Sequence, residues 1–175
     1  ERASKKRTEF PRDLFPQLVK LCHDRGLACG ASVFDEEAVG IVVESDGDFL
    51  KLATREWRNQ SLYDLCDATG LPVIYSYDLR RNVGYRERIV KHGLAMACIP
   101  EYPSHKFIMP SEIYKGGFSS HTNHWLDCLI AVSRGAIMVE KHIKFAANDY
   151  EAGWSLYPDQ FQQMVKDIRW VEEAR

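Results

Sequence analysis

The sequence predicts an α/β fold of repeated strand–helix units, part of a (β/α)8 TIM barrel. Three observations predict it. Short apolar runs recur at steps of roughly 20 to 23 residues, close to the shortest unit such a barrel packs. The runs are continuous rather than alternating, as parallel strands covered by helices require. Between them lie patterns with the 3.6-residue period of amphipathic helices.

Candidate strands begin near Leu27 (LACGAS), Phe49 (FLKLA), Pro72 (PVIYS), Leu94 (LAMACI), Gly117 (GFSS) and Ala136 (AIMVE). A helix before the first of them runs from about Phe15 to Arg25, with Pro11 and Pro16 near its start. Leu62, Leu65 and Cys66 share one face of a helix that Gly70 and Pro72 bring to a stop. Trp125, Cys128, Leu129 and Val132 keep the spacing i, i+3, i+4, i+7 and end at Gly135. The last helix opens at Pro158, where a missing N–H costs nothing, with Asp159 in its first turn. It is expected to bury Phe161, Met164, Val165 and Ile168.

The chain therefore reads as about six βα units in one domain over residues 1–175. A full barrel needs eight units, about 250 residues, and begins on a strand. A strand–helix–strand piece is thus expected upstream. A doubly wound open sheet is the structural alternative, and no glycine-rich nucleotide loop supports it.

Composition narrows the function. At 45% hydrophobic and 27% charged, the chain can bury a real core. A net charge of −2 gives no electrostatic reason to bind nucleic acid or a membrane surface. The basic run Lys5-Lys6-Arg7 reads as a solvated tail. Cys22, Cys29, Cys66, Cys98 and Cys128 are odd in number and contain no C-x-x-C pair. They are expected as small buried thiols in a reducing cytoplasmic setting, not as a disulfide framework or a structural zinc site. No signal peptide and no apolar run of about 18 residues is present.

In a barrel of this kind, chemistry sits at the C-terminal ends of the strands. That edge holds Ser32 and Asp35, Lys51 and Thr54, Ser76 and Asp78, Tyr102, Ser119 and His121, and Glu140 and His142. His121 and His142 end adjacent strands, so both imidazoles can reach one ion and leave positions open for water and substrate. Imidazole alone does not choose the metal. Glu140 and His142, two apart on a strand, face the same side, which sends Lys141 to the helix layer. Glu140 is either a partner that orients a histidine or a general acid/base. Lys51 is either one half of a buried ion pair or the captor of an anionic substrate. His23, His92, His105 and His124 read as exposed or structural, and the four tryptophans as packing.

These residues resemble a known family. Gly117-Phe118-Ser119-Ser120-His121-Thr122, followed after one helix by Val139-Glu140-Lys141-His142, is similar to the paired G-[FY]-S-D-H-T and [IV]-E-K-H strands of sialic acid (N-acetylneuraminate) synthases. Ala31-Ser32-Val33-Phe34-Asp35 resembles the family's T-P-F-D turn, and Lys51-Leu52-Ala53-Thr54 its K-I-[AG]-S strand. Gly70 to Ser76 resembles G-K-P-[VI]-I-L-S, Tyr102-Pro103 the family's Tyr-Pro after the next strand, and Ser155-Leu156-Tyr157-Pro158 its S-L-x-P before the final helix. The resemblance runs from about Phe15 to the end.

The resemblance implies condensation of phosphoenolpyruvate with an N-acetylmannosamine-type aldehyde, giving a nine-carbon 2-keto acid and phosphate. It implies a divalent metal, Mn2+, as Lewis acid, held by His121 and His142. Ser32, Lys51, Thr54, Ser76 and Ser119 would hold phosphoenolpyruvate. Tyr102 would contact the sugar, and Glu140 would handle protons or the attacking water. Glu151 stands roughly where the family has an aspartate for sugar hydroxyls. The family's first two strands and its C-terminal antifreeze-like domain, which reaches a partner's active site, are not in this stretch; a homodimer of a full-length parent follows from that.

Three departures from the pattern stand out. Ser120 replaces an aspartate, which is expected to loosen the orientation of the neighbouring histidine. Pro100 replaces a small polar or amide residue. Tyr77-Asp78 replace Thr-Gly, bringing bulk and negative charge toward a phosphate site. They motivate the alternative of a non-catalytic relative that binds a sugar or a protein partner.

Overall fold

The structure, a computed structural model, describes residues 10–80, 90–105 and 116–174. The run Lys5-Lys6-Arg7 lies outside them. Among the described residues the helices are α1 (Phe15–His23), α2 (Glu36–Glu44), α3 (Gln60–Ala68), α4 (Leu126–Ser133) and α5 (Pro158–Glu173). The strands are β1 (Gly30–Ser32), β2 (Phe49–Leu52), β3 (Val73–Asp78), β4 (Gly93–Cys98), β5 (Gly117–Ser120), β6 (Met138–Ile143) and β7 (Ser155–Leu156). Strand order is chain order, and the pairs β1–β2, β2–β3, β4–β5, β5–β6 and β6–β7 are all parallel. This is a parallel α/β fold, consistent with part of a (β/α)8 barrel. Residue contacts divide the chain into two compact units, one reaching Tyr75 and adding the stretch up to Leu94, the other taking Ser76 onward in β3 and Ala95 onward.

In the first unit, α1 starts with Pro16 in its first turn and stops before Gly26, whose φ of 69° suits a residue without Cβ. β1 is shorter than its apolar run suggests: it starts at Gly30, and Leu27 is exposed. A Cβ on Gly30 would lie 2.3 Å from the Phe49 carbonyl oxygen, so only glycine lets β1 approach β2 there. Just before β1 the Asp48 carboxylate accepts from the Cys29 N–H at 2.6 Å and lies 2.9 Å from His23 Nε2, while the Asp48 N–H donates to the Cys29 carbonyl at 2.7 Å. α2 is capped by Asp35, which accepts from the Ala38 N–H at 2.7 Å and from Arg12 at 3.0 Å. Val39 and Val42 of α2, Leu50 and Leu52 of β2, Leu62 and Cys66 of α3, and Val73 of β3 are buried.

The second unit packs α4 and α5 on β4 to β7. One cluster joins Tyr77, Ala97, Phe118, Ala131 and Ala136. The bulk of Tyr77 is thus taken up among three alanines in the core, away from the side that Ser76 and Asp78 share. A second cluster joins Cys128, Val132, Leu156, Met164 and Ile168, with Phe161 packed against it. Val165, expected in the core, is 39% exposed, because the buried stripe of α5 runs through Met164 and Ile168 and leaves Val165 beside it. Trp170, read as packing, is exposed at 71%. β7 was not expected as a strand: two residues are too few to show a period, and their pairing with His142 and Ile143 of β6 makes them one. The cysteines are free thiols, four of them buried, and burial pushes Cys66 to about 11 and Cys128 to about 12.

Candidate active site

In the second unit the parallel register puts Ser119 opposite Glu140 and Ser120 opposite Lys141, so β5 and β6 deliver His121 and His142 side by side. Their ring centroids are 5.6 Å apart. The side chain of Tyr102 tilts over His121 at 4.1 Å and meets His142 edge-on at 6.4 Å. Trp154 closes the group, 5.4 Å from Tyr102 and 6.3 Å from His142. The loop carrying Tyr102 is fixed where the Ser104 N–H donates to the His121 carbonyl at 2.8 Å. Trp154 is a site residue that its sequence context did not announce. Its indole N–H is buried and has no acceptor among the described residues.

Each histidine has one nitrogen committed. His121 Nδ1 lies 2.8 Å from the Ile99 carbonyl, and His142 Nδ1 lies 2.7 Å from Glu151 Oε2. A carbonyl and a carboxylate only accept, so Nδ1 carries the proton in both rings and Nε2 carries the lone pair of the neutral ring. Ser119 Oγ sits 3.3 Å from His121 Nε2 but gives its own proton to Glu140 Oε1 at 2.6 Å, so that lone pair is not taken. Burial, reinforced by the neighbouring His142, pushes the His121 imidazole down to about 4, which keeps it neutral. The hydrogen bond from His142 holds Glu151 below the ordinary carboxylate range.

This donor set fits a divalent ion. Histidine ligates through a ring nitrogen while the other nitrogen is anchored, and the anchors of these two rings are the carbonyl and carboxylate partners that orient ligating histidines. Among the described residues no third His, Cys, Asp or Glu completes a cluster with them, so water or substrate oxygens would fill the remaining positions.

The helix side of the same strands is also organised. Lys141 points away from the imidazoles, as the strand alternation requires, and donates to Ser120 Oγ at 2.8 Å. Ser120 Oγ in turn donates to Asp127 Oδ2 at 2.7 Å. The expected loosening at Ser120 is therefore corrected: its hydroxyl joins a half-buried lysine to a buried carboxylate. The charge of Asp78 is likewise answered by Arg80, whose Nε lies 3.3 Å away and which also pairs with Glu101. His124 is structural, its Nδ1 accepting from the Trp125 N–H at 2.9 Å at the start of α4.

A model of the NeuB family matches residues 2–175. The chain belongs to the NeuB family. It is 24% identical to human N-acetylneuraminate-9-phosphate synthase over 194 residues, which covers 97% of this chain and 52% of that protein. It spans about half the length of the curated relatives it matches. Among solved structures, the N-acetylneuraminic acid synthetase of Leptospira borgpetersenii superposes with a TM-score of 0.79 at 20% identity, covering 97% of this chain and 65% of that one. The spore coat polysaccharide biosynthesis protein spsE of Bacillus subtilis gives 0.76 at 23% identity, covering 94% and 52%. These likenesses show the fold.

The remaining residues named from the sequence fall as follows. In the first unit, Ser32 ends β1 in register with Lys51, which is 8% exposed in the middle of β2, and Thr54 opens the turn after β2. In the second unit, Ser76 is buried in β3, while Ser119, Glu140, His121, His142, Tyr102 and Glu151 form one connected group. Among the described residues no helix is long and apolar enough to cross a membrane.

Proposed function

We propose that this NeuB-family chain carries the condensing centre of a sialic-acid-synthase-like enzyme, joining phosphoenolpyruvate to an amino-sugar aldehyde. The observation that carries the reading is the pair of imidazoles on adjacent strands, each anchored through Nδ1, in a chain that the family model matches over residues 2–175. Two relatives named N-acetylneuraminate-9-phosphate synthases support the substrate class.

In this reading His121 and His142 would hold the divalent ion, Mn2+ by the resemblance. When bound, that ion supplies Lewis-acid polarisation of the aldehyde oxygen. Glu151 keeps His142 in the ligating tautomer through the Nδ1 proton. That role is additional to the contact with sugar hydroxyls that the resemblance implies for it. Tyr102 and Trp154 present aromatic faces on which the sugar would lie. Glu140, held by the Ser119 hydroxyl, is the group that would exchange a proton with water or substrate. Lys51, Ser32, Thr54, Ser76 and Ser119 are the residues to which the reading gives phosphoenolpyruvate. A buried ammonium such as Lys51 suits a phosphate or carboxylate as a point charge.

The test is phosphate release from phosphoenolpyruvate by the full-length parent protein with Mn2+, offered N-acetylmannosamine and its 6-phosphate in turn. Acceptor-dependent release that chelator abolishes is the expected result. No release with either acceptor, from a folded protein, overturns the reading.

A further inference from the structure

Lys141 is a half-buried charged group that the proposed chemistry does not use. It sits between Glu140 and His142 on β6. An ammonium in that position must be compensated or it destabilises the fold. Its partners are specific. Lys141 Nζ donates to Ser120 Oγ at 2.8 Å and to the Thr122 carbonyl at 2.5 Å. Ser120 and Thr122 are the two residues that flank His121. One cation on the residue before His142 thus grips the backbone and side chain on both sides of His121.

The counter-charge comes from outside the strands. Asp127, 4% exposed in the first turn of α4, accepts from Ser120 Oγ at 2.7 Å and from Thr122 Oγ1 at 3.2 Å. Its other oxygen accepts from the Cys128 N–H at 3.0 Å. The first turn of a helix adds its exposed N–H groups to the stabilisation of a carboxylate there. Because the carboxylate only accepts, Ser120 must give its proton to Asp127 and take one from Lys141. The polarity of the chain, ammonium to hydroxyl to carboxylate, is fixed, and each bond strengthens the next.

We propose that Lys141, Ser120 and Asp127 form a clamp that sets the spacing and orientation of His121 and His142, so that Asp127, remote from the reacting atoms, is a positioning residue for both. The clamp is independent of the ring contacts to Ile99 and Glu151: those orient each imidazole about its own axis, whereas the clamp fixes one strand end against the other. The proposal rests on the reading of the histidine pair as one ligand site. Its loss is expected to cost ligand affinity in proportion to misplacement, not to core packing.

The experiment compares Asp127→Asn with the full-length parent protein in two measurements. The first is the Kd for Mn2+. The second, made without metal, is the set of imidazole 15N resonances, which report tautomer and environment. Asp127→Asn is expected to raise the Mn2+ Kd by about 10- to 100-fold, the range found when partners of ligating histidines are removed, and to shift the resonances of both His121 and His142. A control, Ile168→Ala, loses core packing in the same unit and is expected to leave both readouts unchanged. Lys141→Met/Asp127→Asn removes both charges, so it folds even where an unpaired lysine would not, and it is expected to behave as Asp127→Asn does. The exchange Ser120→Asp/Asp127→Ser keeps one carboxylate beside Lys141 and is expected to bring the Kd back to within a few-fold of the parent.

Unchanged resonances and affinity in Asp127→Asn and in the double variant overturn the clamp. Equal shifts in Ile168→Ala reduce it to ordinary stability and overturn it too. If the parent binds no Mn2+ while Asp127→Asn still shifts both rings, the metal reading fails and the clamp stands.

Discussion

A histidine at a strand end becomes a ligand candidate when one ring nitrogen is committed to an acceptor and the other is not. His142 meets that condition through Glu151, and its side chain is 26% exposed, so it carries little core packing. His142→Ala is therefore expected to abolish metal-dependent phosphate release and to weaken Mn2+ binding about 100-fold, while changing stability by no more than about 1 kcal/mol. Metal titration and a thermal melt on the same protein check both halves; retained metal-dependent turnover removes His142 from the site. At this scale the sequence was informative about which residues meet and silent about how they are held. The two histidines were legible because consecutive parallel strands bring their C-terminal ends together. The anchor at Ile99 was not, because a backbone carbonyl leaves no residue-type signal. Trp154 was missed because an aromatic residue before a short strand reads as packing until its neighbours are known. Glu151 was found, but for a different contact: its separation of nine residues from His142 has no regular-structure reading, and only the turn between β6 and β7 brings them to 2.7 Å.

Elements were legible where punctuation was strong. Gly70 and Gly135, with φ of 75° and 102°, end α3 and α4 where glycine was expected to end them, and Pro158 opens α5. Where a side chain claims a backbone donor, boundaries shifted: the Asp48 carboxylate receives the Cys29 N–H, and β1 begins at Gly30. The cap of α2 shows the same balance and can be tested. Asp35 accepts from the Ala38 N–H and from Arg12, and those bonds hold its carboxyl below the usual range. Asp35→Ala is expected to cost about 1 kcal/mol, the usual worth of an exposed N-cap. The sign with pH follows from the lowered value. The folded state holds the proton less tightly than the unfolded one, so the contribution is whole above the unfolded value of 3.8 and is lost as pH falls through the lower folded value. Urea midpoints for parent and variant should differ at pH 7 and converge near pH 2. A constant difference down to pH 2 would mean that the charge of Asp35 contributes nothing and packing carries the effect.

At the scale of the whole chain, the two units carry different acid sensitivities. The second unit contains His121, buried and pushed down to about 4 from 6.5 mainly by loss of water. Its sign is that of a base kept neutral: between pH 6.5 and about 4 the unfolded chain takes the proton and the folded unit does not. Stability of that unit therefore falls as pH drops through this window, by roughly 3 kcal/mol in all. The first unit's perturbed carboxylates are Asp35 and Asp48, both lowered mainly by backbone hydrogen bonds, and their contribution is lost only below about 3.8. Because the windows do not overlap, acid should loosen the second unit first. Hydrogen exchange, corrected for the intrinsic rate at each pH and run with chelator, reads this by segment. Protection of Phe118 to Ser120 in β5 and of Val139 in β6 is expected to fall between pH 6.5 and 4, while Val39 to Val43 in α2 keep theirs. His121→Gln, which removes the titrating ring but can still donate to the Ile99 carbonyl, is expected to flatten the first decline and leave the second. A β5 protection profile that is flat from pH 6.5 to 4 in the parent would mean that the ring takes its proton as easily folded as unfolded. The neutral imidazole on which the ligand site depends would then be lost as an argument.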